Sequence, residues 1–220
     1  MGRERTVVAP VLAVLALGLT AAALAQHTPK PPDEQIWQAP RQFVPVEDFP
    51  AKGLILDIGG GGWGVIGQLK GQQVVAIDIS DKELLEAPAG PLLKIVMDAR
   101  DLQFLDGTFP TATVFFTFMF IAPQDHEQVC RELWRVLAPG GRLLIWDFVF
   151  PRIEDPRKKY ASVPITFKLP GKEINAGYGT YLVSGGQGLS HFEELAGRTG
   201  FAVVSKRSSQ DWFFLELVKR

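Results

Sequence analysis

The chain has 220 residues, with Lys+Arg 23 against Asp+Glu 24 and a formal net charge of −1. That length allows one domain with a sizeable core plus an appendage, and the balanced charge, with no dominant basic block, excludes an electrostatic nucleic-acid binder. Cys130 is the sole cysteine, which excludes an intrachain disulfide and a cysteine-rich metal site, and His27, His126 and His191 lie far apart without ligand spacing, so no metal is expected.

Arg3 and Arg5 precede an apolar stretch, Val7 to Ala25, that ends Ala23-Leu24-Ala25 before Gln26. A basic start, an apolar run and a small-x-small end predict a signal peptide over residues 1–25, with export to the periplasm or the medium. The alternative is an uncleaved anchor over residues 7–25, with membrane contact through that segment. Residues 26–50 read as a linker and N-terminal brace: Gln26 to Gln35 is polar and proline-rich, and Ile36 to Pro50 carries Trp37, Phe43, Val44 and Phe49 among prolines. The domain proper is expected over residues 51–220.

Leu54 to Leu56 reads as a buried strand that breaks into Gly59 to Gly62, with Gly64 following. A strand that runs into glycines and then a helix is a nucleotide-binding corner, because a backbone without Cβ can turn sharply and lie against a ligand. The helix is expected from Gly64 to Leu69, ended by Gly71. Val74 to Ile77 is the second strand, with Asp78 at its tip, where a carboxylate can accept both hydroxyls of a ribose. Ser80 is placed to cap a short helix from Asp81 to Leu85. Leu93 to Met97 is the third strand and leads to Asp98-Ala99; Val114 to Ile121, nearly all apolar, is the fourth.

Val129, Cys130, Leu133, Val136 and Leu137 recur at helical spacing across Asp125 to Leu137, which makes Cys130 a small core residue and puts His126 on the first turn, where it could approach the core but is better placed for a cap or the surface. The helix is expected to stop at Pro139-Gly140-Gly141, and the fifth strand to run from Arg142 to Asp147. Ile165 to Leu169 and Glu173-Ile174 frame a tight turn at Pro170-Gly171-Lys172, as in a hairpin. Ser190-x-x-Glu193 reads as a capping box opening a helix to Arg198, and Phe201 to Lys206 and Trp212 to Val218 are the last two strands.

Asp57-x-Gly59-x-Gly61 after an apolar strand, and Leu137-x-Pro139-Gly140-Gly141 before another, resemble the first motif and the pre-strand-five turn of the class I S-adenosylmethionine (SAM)-dependent methyltransferases. The likeness is to small bacterial members of the type 11/25 kind and covers roughly Leu54 to Arg220. It implies a doubly wound, Rossmann-like α/β fold with a seven-stranded mixed sheet whose last strand is antiparallel. It also implies SAM as cofactor, held by Asp57, Gly59, Gly60, Gly61, Asp78, Ile79, Asp98, Ala99 and Thr117, with Asp57 facing the ligand's cationic end and Asp98-Ala99 the adenine. Phe118, Met119, Phe120, Tyr178 and Tyr181 would line the acceptor site or serve only as packing, and Asp147 would be a proton acceptor, a substrate hook or a structural carboxylate. The chain departs from the family at Phe109-Pro110, where Phe-Asp is usual. The implied function is methyl transfer to a small, partly apolar acceptor molecule. The alternatives are a SAM- or nucleoside-binding module without turnover and an NAD-dependent oxidoreductase, against which the reversed last strand argues. Oligomeric state is not readable from these residues.

Overall fold

The structure, a computed structural model, describes residues 31–182 and 187–220. The expected signal or anchor segment, 1–25, and the first part of the linker lie outside the described residues. Among the described residues, eleven strands form two sheets. The larger is built from β3 (Ile55–Ile58), β4 (Val74–Asp78), β5 (Leu93–Val96), β6 (Phe109–Phe115), β7 (Leu137–Phe148), β10 (Phe201–Ser208) and β11 (Trp212–Lys219), in the order β10-β11-β7-β6-β3-β4-β5. β11 runs antiparallel to both neighbours and the remaining pairs are parallel. This is the mixed seven-stranded sheet that the sequence implies.

Alternation along the strands sends side chains to two cores. Leu56, Ile58, Val114, Ile145 and Leu215 face a layer containing α3 (His126–Val136) and α4 (Leu189–Arg198). Val129, Leu133 and Val136 of α3 are fully buried there, each contributing about 1.5–3 kcal/mol on removal from water. Ile55, Phe115, Trp146 and Phe214 face the other way, against α1 (Val65–Lys70) and the second sheet. A third short helix, α2 (Asp81–Glu86), follows β4 and is capped by Ser80, whose Oγ accepts the Glu83 amide at 3.2 Å.

The second sheet was not anticipated. β1 (Ile36–Gln38) and β2 (Gln42–Pro45) pair in parallel with β8 (Tyr160–Leu169), which pairs antiparallel with β9 (Lys172–Tyr181). The expected hairpin is therefore ten residues long on each side, and the N-terminal brace is part of its sheet. Pro164 has no N–H to donate and falls in the gap between the partners of β1, ending at Ser162, and those of β2, starting at Ile165.

Three local expectations are corrected. The fourth strand ends at Phe115 instead of Ile121, because Phe116 takes a left-handed φ of 51° and Phe118–Phe120 forms a 3-10 turn. The Pro139-Gly140-Gly141 turn does not precede the fifth strand but bulges within it: Leu137 pairs with Phe109 and Arg142 with Thr111, and the residues between loop out. Ser190 is no cap; Gly188 holds the cap position, without a side-chain bond, and Ser190 lies inside the first turn.

Candidate active site

Glycine geometry brings the first loop against the turn after β6. Gly59 sits at φ 68°, and a Cβ there would lie 2.3 Å from Thr117 Oγ1. Thr117 cannot move aside freely, since its hydroxyl reaches the carbonyls of Ile58 (3.0 Å) and Phe115 (3.1 Å). A Cβ on Gly61 would lie 2.6 Å from Glu83 Cβ and 2.8 Å from Asp78 Oδ2. At Gly60 it would meet Ala76 at 2.7 Å.

Two hollows open at the carboxyl ends of β3, β4 and β6, and they share Gly59, Asp78, Thr117 and Phe120 as a common wall. The first, of about 480 Å³, is bounded by Ile79, Met97, Asp98, Ala99, Ile121 and Tyr181. The second, of about 560 Å³, is aromatic, with Trp63, Phe115, Phe116 and Tyr178, and also carries Glu83 and Glu86. Ligands of open α/β sheets bind at this edge.

Asp78 stands between the hollows. Its carboxylate accepts the amides of Ser80 (2.9 Å) and Gly61 (3.3 Å), while burial raises its pKa. Asp98 is on the wall of the first hollow, but both its oxygens are engaged by Arg100, which lowers its pKa and which also bonds Asp125 at 3.0 Å. Asp57 lies beneath the glycine loop, fully buried, with Oδ1 accepting the Thr113 hydroxyl at 2.7 Å; burial pushes its pKa up to about 7. It borders neither large hollow, only a crevice of about 20 Å³ shared with Gly60, Trp63 and Tyr178.

The candidates therefore separate. Gly59, Asp78, Ile79, Asp98, Ala99, Thr117, Met119, Phe120 and Tyr181 border the first hollow; Gly61, Phe120 and Tyr178 border the second. Phe118 borders neither and packs edge-on against His126 at 5.0 Å in the helix-side core, which corrects its expected place in the site. Asp147 is also fully buried and outside both hollows. Its Oδ1 accepts the Phe148 amide at 2.7 Å, and Oδ2 has no hydrogen-bond partner, although the amides of Thr117 to Met119 face the carboxylate. Burial pushes its pKa up to about 7. Burial also raises the Tyr178 phenol, with the negative charges of Asp147, Asp57 and Glu83 adding to the effect.

Sequence reasoning missed His126 and His191. His126 is fully buried, not capping or exposed, and its Nδ1 is 3.0 Å from His191 Nε2. Their separation of 65 residues carries no local signal. Among the described residues, no group of three or more His, Cys, Asp or Glu could hold a metal, and no helix is long and apolar enough to cross a membrane.

The residues present suit an adenosyl ligand. The lack of a Cβ at Gly59 and Gly61 lets the loop lie directly against Thr117, Asp78 and Glu83, Asp78 offers acceptors for ribose hydroxyls, and Ile79, Met97 and Ile121 supply apolar walls for a purine.

Comparison with known proteins agrees. Residues 56–145 match the family model described as a methyltransferase domain. The chain is 48% identical over 54 residues to the demethylmenaquinone methyltransferase of Thermus thermophilus, covering 24% of each chain. It is 30% identical over 154 residues to the ubiquinone/menaquinone biosynthesis C-methyltransferase of Pseudomonas putida, covering 64% of this chain and 59% of that protein. Such matches span from about a quarter to somewhat over half of these curated relatives' length. A SAM-dependent methyltransferase from Methanosarcina mazei shares the fold at TM-score 0.56 and 18% identity, over 78% of this chain and 94% of its own. An N-methyltransferase from Haemonchus contortus, solved with S-adenosylhomocysteine, does so at TM-score 0.55 and 18% identity, over 78% of this chain and 50% of its own. Residues 56–145 thus match a methyltransferase domain, and the seven-stranded sheet with its reversed β11 is the fold of the solved SAM-dependent methyltransferases.

Proposed function

We propose that the domain moves the methyl group of S-adenosylmethionine to a small, partly apolar acceptor seated in the aromatic hollow. The observation that carries this is the shared wall of Gly59, Asp78, Thr117 and Phe120, which sets a nucleoside-sized hollow directly beside an aromatic one. SAM supplies an already activated methyl group, so the protein's task is chiefly to hold the acceptor in line and keep water out.

Within that scheme Asp78 fixes the ribose, Gly59 and Gly61 let the backbone approach, and Phe116, Phe120, Tyr178 and Trp63 orient the acceptor. A planar ring of the kind named for the curated relatives matches those aromatic walls. The carboxylates on the aromatic hollow are Asp78, Glu83 and Glu86, whereas Tyr178 is held neutral and Asp147 is outside it. Methyl transfer to a carbon, oxygen or nitrogen that must lose a proton would use Glu83 or Glu86 as the acceptor, and transfer to a thiolate would need none.

Mass spectrometry of ligand retained by the purified chain is the direct test. SAM or S-adenosylhomocysteine is expected, and retained NAD would refute the proposal. We also propose that residues 1–25 direct export and are cleaved after Ala25, with an anchor over residues 7–25 as the rival.

A further inference from the structure

The Thr117–Ile121 turn is the wall on which both hollows depend, and it begins just after Phe116, the single non-glycine residue with positive φ among the described residues. Such a backbone persists only where its surroundings fix it. Three elements reach into this turn. Thr180 of β9 donates its hydroxyl to the Met119 carbonyl at 2.8 Å. Asp147 of β7 faces the amides of Thr117, Phe118 and Met119. His126, at the start of α3, brings Nε2 to 2.9 Å from the Ile121 carbonyl and 3.2 Å from that of Phe118.

The histidine tautomers follow from these contacts. Carbonyl oxygens only accept, so His126 Nε2 carries a proton and donates to both. Burial holds the pKa of His126 below its ordinary value, and that of His191 as well, so at neutral pH both rings are uncharged. His126 Nδ1 is then a bare acceptor, and His191 Nε2, 3.0 Å away, must donate to it. His126 is further held by Phe192, stacked at 5.5 Å with the ring planes 28° apart. His191 on α4 thus fixes which nitrogen of His126 faces the turn.

We propose that His126, oriented by His191, is a positioning residue for ligand binding: it holds the Phe118 and Ile121 carbonyls so that Thr117 and Phe120 present the wall shared by the two hollows. This rests on the methyl-transfer proposal above, since it assigns the wall to SAM and its acceptor.

The test is calorimetric binding of S-adenosylhomocysteine to the full chain and to His126→Gln, His126→Asn and His126→Leu, with thermal melts to establish that each is folded. Glutamine places an amide N–H at the reach of Nε2, asparagine stops short of it, and leucine keeps bulk without a donor. We expect glutamine to bind within about threefold of wild type, and leucine and asparagine to bind at least about tenfold more weakly, the effect of losing a buried hydrogen bond to the wall. A packing role alone predicts the reverse, with leucine at least as good as glutamine. If the leucine variant does not fold, glutamine against asparagine gives the same decision, since the two differ only in reach. Wild-type binding with leucine or asparagine as tight as glutamine overturns this inference alone. Absence of binding by the wild-type chain overturns both it and the methyl-transfer proposal.

Discussion

Replacing Gly59 by alanine tests whether the glycine loop is shaped by approach or by turning alone. Two penalties should act there. The first is conformational: φ 68° is left-handed, which an L side chain adopts at about 1–2 kcal/mol. The second is steric: the new Cβ would meet Thr117 Oγ1 at 2.3 Å, Cγ2 at 2.4 Å and Cβ at 2.9 Å, with Thr117 tied to two carbonyls. Overpacking of this kind adds about 1–3 kcal/mol. Gly140→Ala is the internal control. Gly140 has φ 71°, but nothing lies within 4 Å of its Cβ position, so it carries the first penalty without the second. Urea denaturation should show Gly59→Ala destabilised by about 2–5 kcal/mol, the two penalties together, and Gly140→Ala by about 1–2 kcal/mol. Calorimetry with S-adenosylhomocysteine should show weakened binding only for Gly59→Ala, because its relief requires the Thr117 wall to move. Equal destabilisation in the two variants, or wild-type affinity in Gly59→Ala, would refute the reasoning.

Asp78→Ala should weaken S-adenosylhomocysteine binding by roughly 10–100-fold, the equivalent of about 1.5–3 kcal/mol for charge-assisted bonds; an unchanged Kd in a folded variant would show that another carboxylate holds the ribose. Asp57 and Asp147 ionise near pH 4 when unfolded and near pH 7 when folded, so the fold retains protons the unfolded chain has lost and stability should fall as pH rises from about 4 to about 7. His126, with its pKa lowered by burial, acts in the opposite sense, and its stability is lost as pH falls below about 6.5. Asp147→Asn should therefore flatten the loss between about pH 4 and 7 in urea titrations, and an unaltered slope would count against the raised carboxyl. Cys130, buried in α3 with its thiol pushed up to about 12, should resist thiol reagents until the chain unfolds, so rapid labelling of the native protein would contradict its core position. N-terminal sequencing of protein from the native host should begin at Gln26, and an intact Met1 in the membrane fraction would favour the anchor.

Where function and backbone geometry coincide within a few residues, the sequence was explicit. Gly59 to Gly64, Asp78 after four apolar residues and Ser80 before α2 each carry their reason locally, and all lie as expected. The Val114 to Ile121 run misled because it is apolar throughout. Without a period, nothing marks where strand gives way to turn, and the break depends on Phe116 adopting a backbone that phenylalanine rarely takes. Ser190 misled for a different reason, since its capping pattern is genuine but Gly188 begins the helix two residues earlier. The aromatic hollow depends on Phe116 and Tyr178, which stack at 6.0 Å although 62 residues separate their numbers. Such meetings, like that of His126 with His191, are properties of the completed packing.

The parallel pairing of β1 and β2 with β8 has a temporal consequence. Trp37 must find Ala161 and Phe43 must find Thr166, so each contact closes a loop of more than 120 residues. On a ribosome, the first strands emerge long before their partner exists, and an unpaired edge must wait while the seven-stranded sheet grows as far as β7. Loop closure of that length makes such contacts slow to form. Pro40 between the waiting strands, Pro45 at the end of β2 and Pro50 beyond it leave fewer amides for wrong partners to use. The aromatic hollow can be completed only when β8 and β9 arrive, so ligand-binding competence should be among the last properties the nascent chain acquires.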